Sequence, residues 1–117
     1  EVARVVCHGL PITFQKWNFN YLEGVSFPPE QFDIVLALGV IHKLRYPELG
    51  LRYAASSALD LLLLRSGRGA VGGVIRSKGW RENTCDSHGV LASLGFMMES
   101  SVPGPAELQE NVEYWRR

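Results

Sequence analysis

Apolar and polar positions follow two spacings along this chain, one suited to strands and one to helices. After the acidic Asp33, Ile34 to Leu38 runs without a charge up to Gly39, ahead of His42 and Lys43. An apolar run of that length, bounded by polar residues, predicts a strand buried on both faces of a parallel sheet. The stretch Phe32 to Leu44 is the one around which the rest is organised. Gly39 at the carboxyl end of the strand lets the backbone turn tightly or approach a ligand closely, and in open α/β sheets that is where ligands bind.

From Leu49 to Leu64 the apolar residues Leu51, Ala55, Ala58, Leu59 and Leu62 recur at helical spacing, and Pro47 with Glu48 suits a first helical turn. A helix through Leu64 is predicted, apolar nearly all round in its last turn and therefore buried on more than one side or covered by a partner. Ser56, Ser57 and Asp60 would form its narrow solvent face. Ser66 to Gly69 end it, and Ala70 to Ile75 is predicted as a second buried strand, which completes a right-handed βαβ unit.

Further on, Asp86 or Ser87 can cap a short helix through Leu94 that Gly95 stops. Phe96 to Val102 and Asn111 to Arg116 alternate as strands, with an antiparallel return through Pro103, Gly104 and Pro105. Towards the amino terminus, Ile12 to Trp17 alternates as a short strand and leads into the turn residues from Asn18 to Gly24. The segment Val2 to Cys7 fits either a strand or the end of a helix that Gly9 and Pro11 stop.

Length and composition narrow the class. The 117 residues make a single domain spanning 1–117, and 46% hydrophobic against 21% charged residues is a globular balance. Twelve basic and twelve acidic residues cancel, so any contact with nucleic acid has to be local. Leu61 to Leu64 is far too short to span a bilayer, and the amino terminus lacks the blocks of a signal peptide. The expectation is a soluble protein of the cytoplasm or another intracellular compartment, with no membrane contact. Cys7 and Cys85 are expected to be thiols, since two cysteines make no disulfide framework.

Several stretches, in order, resemble the carboxyl-terminal half of class I S-adenosylmethionine-dependent methyltransferases. FDIVLALGVIHKLRYP resembles the family's fourth strand and the loop written GVLHHLxDP. LLLLRSGRGAVGGVI resembles its LRPGGxLVL stretch, LASLGF with MMESSV its last helix and sixth strand, and NVEYWRR its seventh strand. ITFQKWNFNYLEG takes the place of the third strand and the GDAxxLP segment. The family's glycine-rich E/DxGxGxG loop, and the acidic residue that binds the ribose, have no counterpart in this sequence.

The resemblance implies a partial Rossmann-like fold with a mostly parallel sheet and a carboxyl-terminal antiparallel hairpin. In the family the strand order is 3-2-1-4-5-7-6. It implies S-adenosylmethionine as cofactor, bordered by Asn18 and Phe19 at the adenine and by Gly39 and Val40 at the reacting methyl group. His42 would be the catalytic base or orient the substrate, which could be RNA or a small molecule. The alternative is a noncatalytic interaction or assembly subunit keeping a degenerate methyltransferase fold. The open edge left by the absent first strand implies a lost preceding segment, a rearranged sheet, or a protein partner or second copy that completes it.

The other candidates each carry an ordinary account beside the chemical one. Lys43, Trp80 and Arg81, the last two in a loop with Arg76 and Lys78, could hold substrate, and an aromatic flanked by cations can stack and pair with an RNA base. Solvated loop charges around one packed tryptophan explain the same residues. Cys85 and His88 have the spacing of half a zinc site, with Cys7 and His8 as the remainder, but nothing in the sequence joins the two pairs and no metal is expected. Neither a Walker loop, a GxSxG elbow nor an HExxH pattern occurs.

Overall fold

The computed structural model describes residues 5–14, 18–20, 31–65, 73–104 and 110–117. In chain order the elements are β1 (Phe32–Leu38), a 3-10 turn (Ile41–Lys43), α1 (Pro47–Ser57), β2 (Ala58–Arg65), β3 (Val74–Arg76), β4 (Thr84–Asp86), α2 (Ser87–Ser93), β5 (Met97–Pro103) and β6 (Asn111–Arg116). β1, β2, β6 and β5 lie side by side in that order, and β3 pairs with β4 in a separate two-stranded ladder.

The larger sheet is mixed, which corrects the expectation of a mostly parallel one. Only β1 and β2 run parallel, while β6 is antiparallel to both β2 and β5. The expected carboxyl-terminal hairpin is present, with β6 inserted between β2 and β5 so that the last strand lies inside the sheet and β5 forms its edge.

The second correction concerns where helix gives way to strand. α1 begins at Pro47 as predicted but stops at Ser57, and the leucine run forms β2 with no loop between them. The βαβ unit therefore closes on Ala58–Arg65 and not on Ala70 to Ile75. Of that later stretch, 70–72 lies outside the described residues and Val74 and Ile75 belong to β3. Ser57 is buried, donating its hydroxyl to Tyr53 O at 2.9 Å, and Asp60 is a strand residue. Of the strand expected at Ile12 to Trp17, residues 12–14 carry none and 15–17 lie outside the described residues.

Pairing register decides what each face buries. Val35, Leu62 and Trp115 form one row across β1, β2 and β6, and Ala37 with Leu64 lies in another row on that same face. Ala37, Leu62, Leu64 and Trp115 are all buried, together with Leu51, Ala54 and Ala55 of α1 and Val90 and Leu91 of α2. Fully burying a leucine such as Leu62 stabilises the fold by about 1.5–3 kcal/mol. α2 is set by the predicted signals, with Asp86 accepting from Gly89 N at 3.1 Å and Gly95 ending it at φ +90°.

Among the described residues no helix covers the opposite face. Phe32, Ile34, Leu36 and Leu38 are 54%, 55%, 61% and 41% exposed. The prediction of a centrally placed strand buried on both faces is thus overturned. Among the described residues β1 is an edge strand with one buried face, because the helices α1 and α2 pack on the side of Ala37.

Candidate functional site

At the carboxyl end of β1 the chain turns through Gly39 at φ +75°, and Ile41, 1% exposed, plugs the 3-10 turn into the core. His42 follows on that anchored turn. Lys43 N and Leu44 N donate to Val40 O and Ile41 O at 3.0 and 3.2 Å. Gly39, Val40, His42 and Lys43, all singled out from the sequence, are therefore held together at the strand exit.

The loop after β3 docks onto this turn through main-chain groups. Lys78 N donates to His42 O at 2.7 Å, Ser77 Oγ to Leu44 O at 2.6 Å and Asn83 Nδ2 to Arg45 O at 2.6 Å. Trp80, 38% exposed, receives the Arg45 guanidinium at 5.8 Å from its ring centroid, and Arg81 is exposed. The expected patch of Trp80 with Arg76, Lys78 and Arg81 is thus built differently: the cation over the ring comes from the other loop.

Asn18 and Phe19 reach the same region from the amino-terminal side. Asn18 Oδ1 accepts from Asn20 N at 2.9 Å, Asn20 Oδ1 accepts from Arg45 N at 2.8 Å, and the Phe19 ring lies 5.5 Å from that of Tyr53. Their contacts run to α1 and Arg45. An open hollow of about 290 Å³ between Tyr46–Leu49 and Glu82–Thr84 contains none of the predicted site residues.

Two charged residues at this end of the sheet, Arg65 and Glu110, were not singled out from the sequence. Arg65 closes β2, its Nε 3.5 Å from Glu110 Oε2, an ion pair without hydrogen-bond geometry. Its backbone O accepts from Gly39 N at 3.0 Å, and its guanidinium lies over Gly39 so closely that a Cβ there would meet Nη2 at 2.8 Å. Lys78, expected in the Trp80 patch, lies within electrostatic reach of the His42 ring. For Arg65 the one signal in the sequence was a cation ending a run of leucines.

Electrostatics single out His42. Burial holds its pKa below the usual 6.5, Lys43, Lys78 and Arg65 push the same way, and Glu110 alone opposes them. The ring is therefore neutral at pH 7. Its Nδ1 and Arg65 Nε are buried and have no hydrogen-bond partner among the described residues.

The half zinc site does not assemble. Cys85 is buried and its thiol is pushed up to about 12, first by burial and then by Glu48 and Asp86. His88 Nε2 instead meets Glu113 Oε2 at 2.9 Å. No group of three metal-ligating side chains forms among the described residues.

No family model, curated protein or solved structure matches this chain. Among the described residues no helix is long and apolar enough to cross a membrane.

Proposed function

We propose that this chain is the carboxyl-terminal half of a methyltransferase-like α/β domain and works as an interaction subunit, taking a complementary α/β segment on β1. β1 carries this reading, because among the described residues its outer edge is unpaired and its Ile34 and Leu36 face is exposed, and both ask for the same object. Parallel crossovers are right-handed as a rule, and in the one from β1 to β2, α1 packs on the Ala37 side. Parallel strands added beyond the free edge run the other way across the sheet, so their crossover helices fall on the side of Ile34 and Leu36. One βαβ segment would pair the edge and cover the face. The order β1-β2-β6-β5 has the form of 4-5-7-6 in the family's arrangement, although β2 is Ala58–Arg65 and not the Ala70 to Ile75 stretch that the resemblance gives to the fifth strand.

The described residues do not by themselves fit S-adenosylmethionine. Asn18 Oδ1 is engaged by Asn20, Phe19 packs at a tilt against Tyr53, and Arg65 fills the space over Gly39. The cations Lys43, Arg65 and Lys78 disfavour a sulfonium in their neighbourhood. A transferase active after completion remains the second reading, favoured by the neutral His42 ring at the strand exit, which can accept a proton from a nucleophile.

Calorimetric titration of the chain with S-adenosylmethionine and S-adenosylhomocysteine is expected to give no heat. Saturable heat with either would restore the catalytic reading. Hydrogen exchange tests the docking strand: the outward amides of β1 are expected to exchange much faster than those of β2. Equal protection in a monomer would remove the free edge and the proposal with it.

A further inference from the structure

Two buried nitrogen atoms at one end of the sheet, His42 Nδ1 and Arg65 Nε, lack hydrogen-bond partners among the described residues. Buried polar groups are nearly always partnered, and one left bare costs roughly 1–3 kcal/mol, so each orphan calls for a reason. Here the two share a place and a polarity. Arg65 Nε is always a donor, and a neutral imidazole with its proton on Nδ1 is one as well. The Arg65 side chain is 41% exposed but its Nε is covered, so a ligand reaches that donor once the half-exposed side chain shifts.

The surrounding charge has the same sign. Lys43, Lys78 and Arg65 all lie within electrostatic reach of the His42 ring, and Glu110 is the one carboxylate that does. Three cations against one carboxylate leave an excess of positive charge in a chain whose formal charge is zero. The cluster stands at the carboxyl ends of the parallel pair β1 and β2, where open α/β sheets bind their ligands. Glu110 approaches Arg65 Nε to 3.5 Å without hydrogen-bond geometry, leaving that donor free for a better-placed oxygen.

We propose that the ends of β1 and β2 form a binding site for an oxyanion, the carboxylate or phosphate group of a small molecule. Arg65 Nε and His42 Nδ1 donate to its oxygens, while Lys78 and Lys43 supply charge. Gly39 is part of the site because only a residue without Cβ leaves the Arg65 guanidinium its seat. The site stands whether or not the chain belongs to a methyl-transferring assembly.

The test follows the Arg65 Nε–H and His42 ring nitrogens by NMR while inorganic phosphate, acetate or, at matched ionic strength, chloride is added. Saturable shifts with phosphate and acetate but not chloride are expected. Saturation by phosphate alone identifies a phosphate ester as the natural group, and saturation by acetate alone a carboxylate. Arg65→Lys keeps the charge and loses the Nε donor, and read at His42 it should weaken binding about tenfold or more. Lys78→Gln, at an exposed position, should weaken it roughly two- to fivefold. Shifts that never saturate, or affinities unchanged in both variants, overturn the proposal, and the lysine variant decides it if Arg65→Lys fails to fold.

Discussion

The Arg65 guanidinium lies across the backbone of Gly39, with Nη2 2.8 Å from the point a Cβ would occupy. The two residues also share a hydrogen bond, Gly39 N donating to Arg65 O at 3.0 Å, which closes the parallel ladder at its carboxyl end. An alanine at position 39 meets two penalties, a left-handed φ of +75° and the displaced arginine. Gly39→Ala should cost about 1–2 kcal/mol from the backbone, with little more from the guanidinium, which is the far end of a flexible side chain and can shift. Urea unfolding measures it, and a loss under about 0.5 kcal/mol would mean that the turn relaxes freely.

His42 makes stability depend on pH in a definite direction. Its folded pKa lies below the unfolded value of 6.5, so between the two the unfolded chain binds more protons. The contribution is complete above pH 6.5 and is lost as the pH falls towards and through the folded pKa. Lys43, Lys78 and Arg65 face the ring against Glu110, and a second proton adds to that repulsion. Urea midpoints compared on either side of pH 6.5 should fall on acidification, and His42→Gln should remove part of that slope. Equal slopes in variant and parent would show that the ring titrates like a free histidine.

What the sequence disclosed and what it hid have physical causes. Pro47, Asp86 and Gly95 act locally, through a missing N–H, a capping carboxylate and a positive φ, so their elements were legible. The two strands of the carboxyl-terminal hairpin were legible through their alternation. Ala58 to Arg65 was not, because leucine favours helices and four in succession satisfy either spacing. There the decision is tertiary: β2 pairs with β1 on one side and β6 on the other, and Leu62 and Leu64 are buried on the face the helices cover. At the candidate site, Gly39 and His42 announced themselves at a strand end. Arg65, Lys78 and Glu110 come from three other segments and meet only in the fold.

Neighbouring residues of β1 should respond in opposite ways to substitution. Leu36 is 61% exposed on the bare face and Ala37 3% exposed under α1. In the monomer Leu36→Ser should change stability by no more than about 0.5 kcal/mol, whereas Ala37→Leu overpacks a filled layer and should cost about 1–3 kcal/mol. A loss of several kcal/mol from Leu36→Ser would mean that something already covers that face.

Cys85 should be silent towards thiol reagents in the folded chain. It is 1% exposed and its thiol is pushed up to about 12, so almost no thiolate exists at neutral pH. Cys7 is less buried and should react first. Native labelling followed by mass spectrometry is expected to modify Cys7 alone, with Cys85 following on denaturation. Rapid native modification of Cys85 would show that β4 opens readily.

Glu113 uses both of its oxygens, one on α2 and one on its own strand. Oε2 meets His88 Nε2 at 2.9 Å and Oε1 accepts from Trp115 Nε1 at 3.0 Å, with the Glu113 side chain only 13% exposed. The His88 ring also lies 5.3 Å from that of Trp115, and it packs so tightly on Gly73 that a Cβ there would come within 2.5 Å of its Cγ. Removing the carboxylate therefore strands an indole N–H on a ring that cannot turn easily towards solvent. Glu113→Ala should cost about 1–3 kcal/mol, and Glu113→Gln less, because its amide oxygen can still accept from Trp115. Urea unfolding of both variants separates the two contributions: equal losses would assign the effect to the charge facing His88, and a loss confined to alanine would assign it to the tryptophan acceptor.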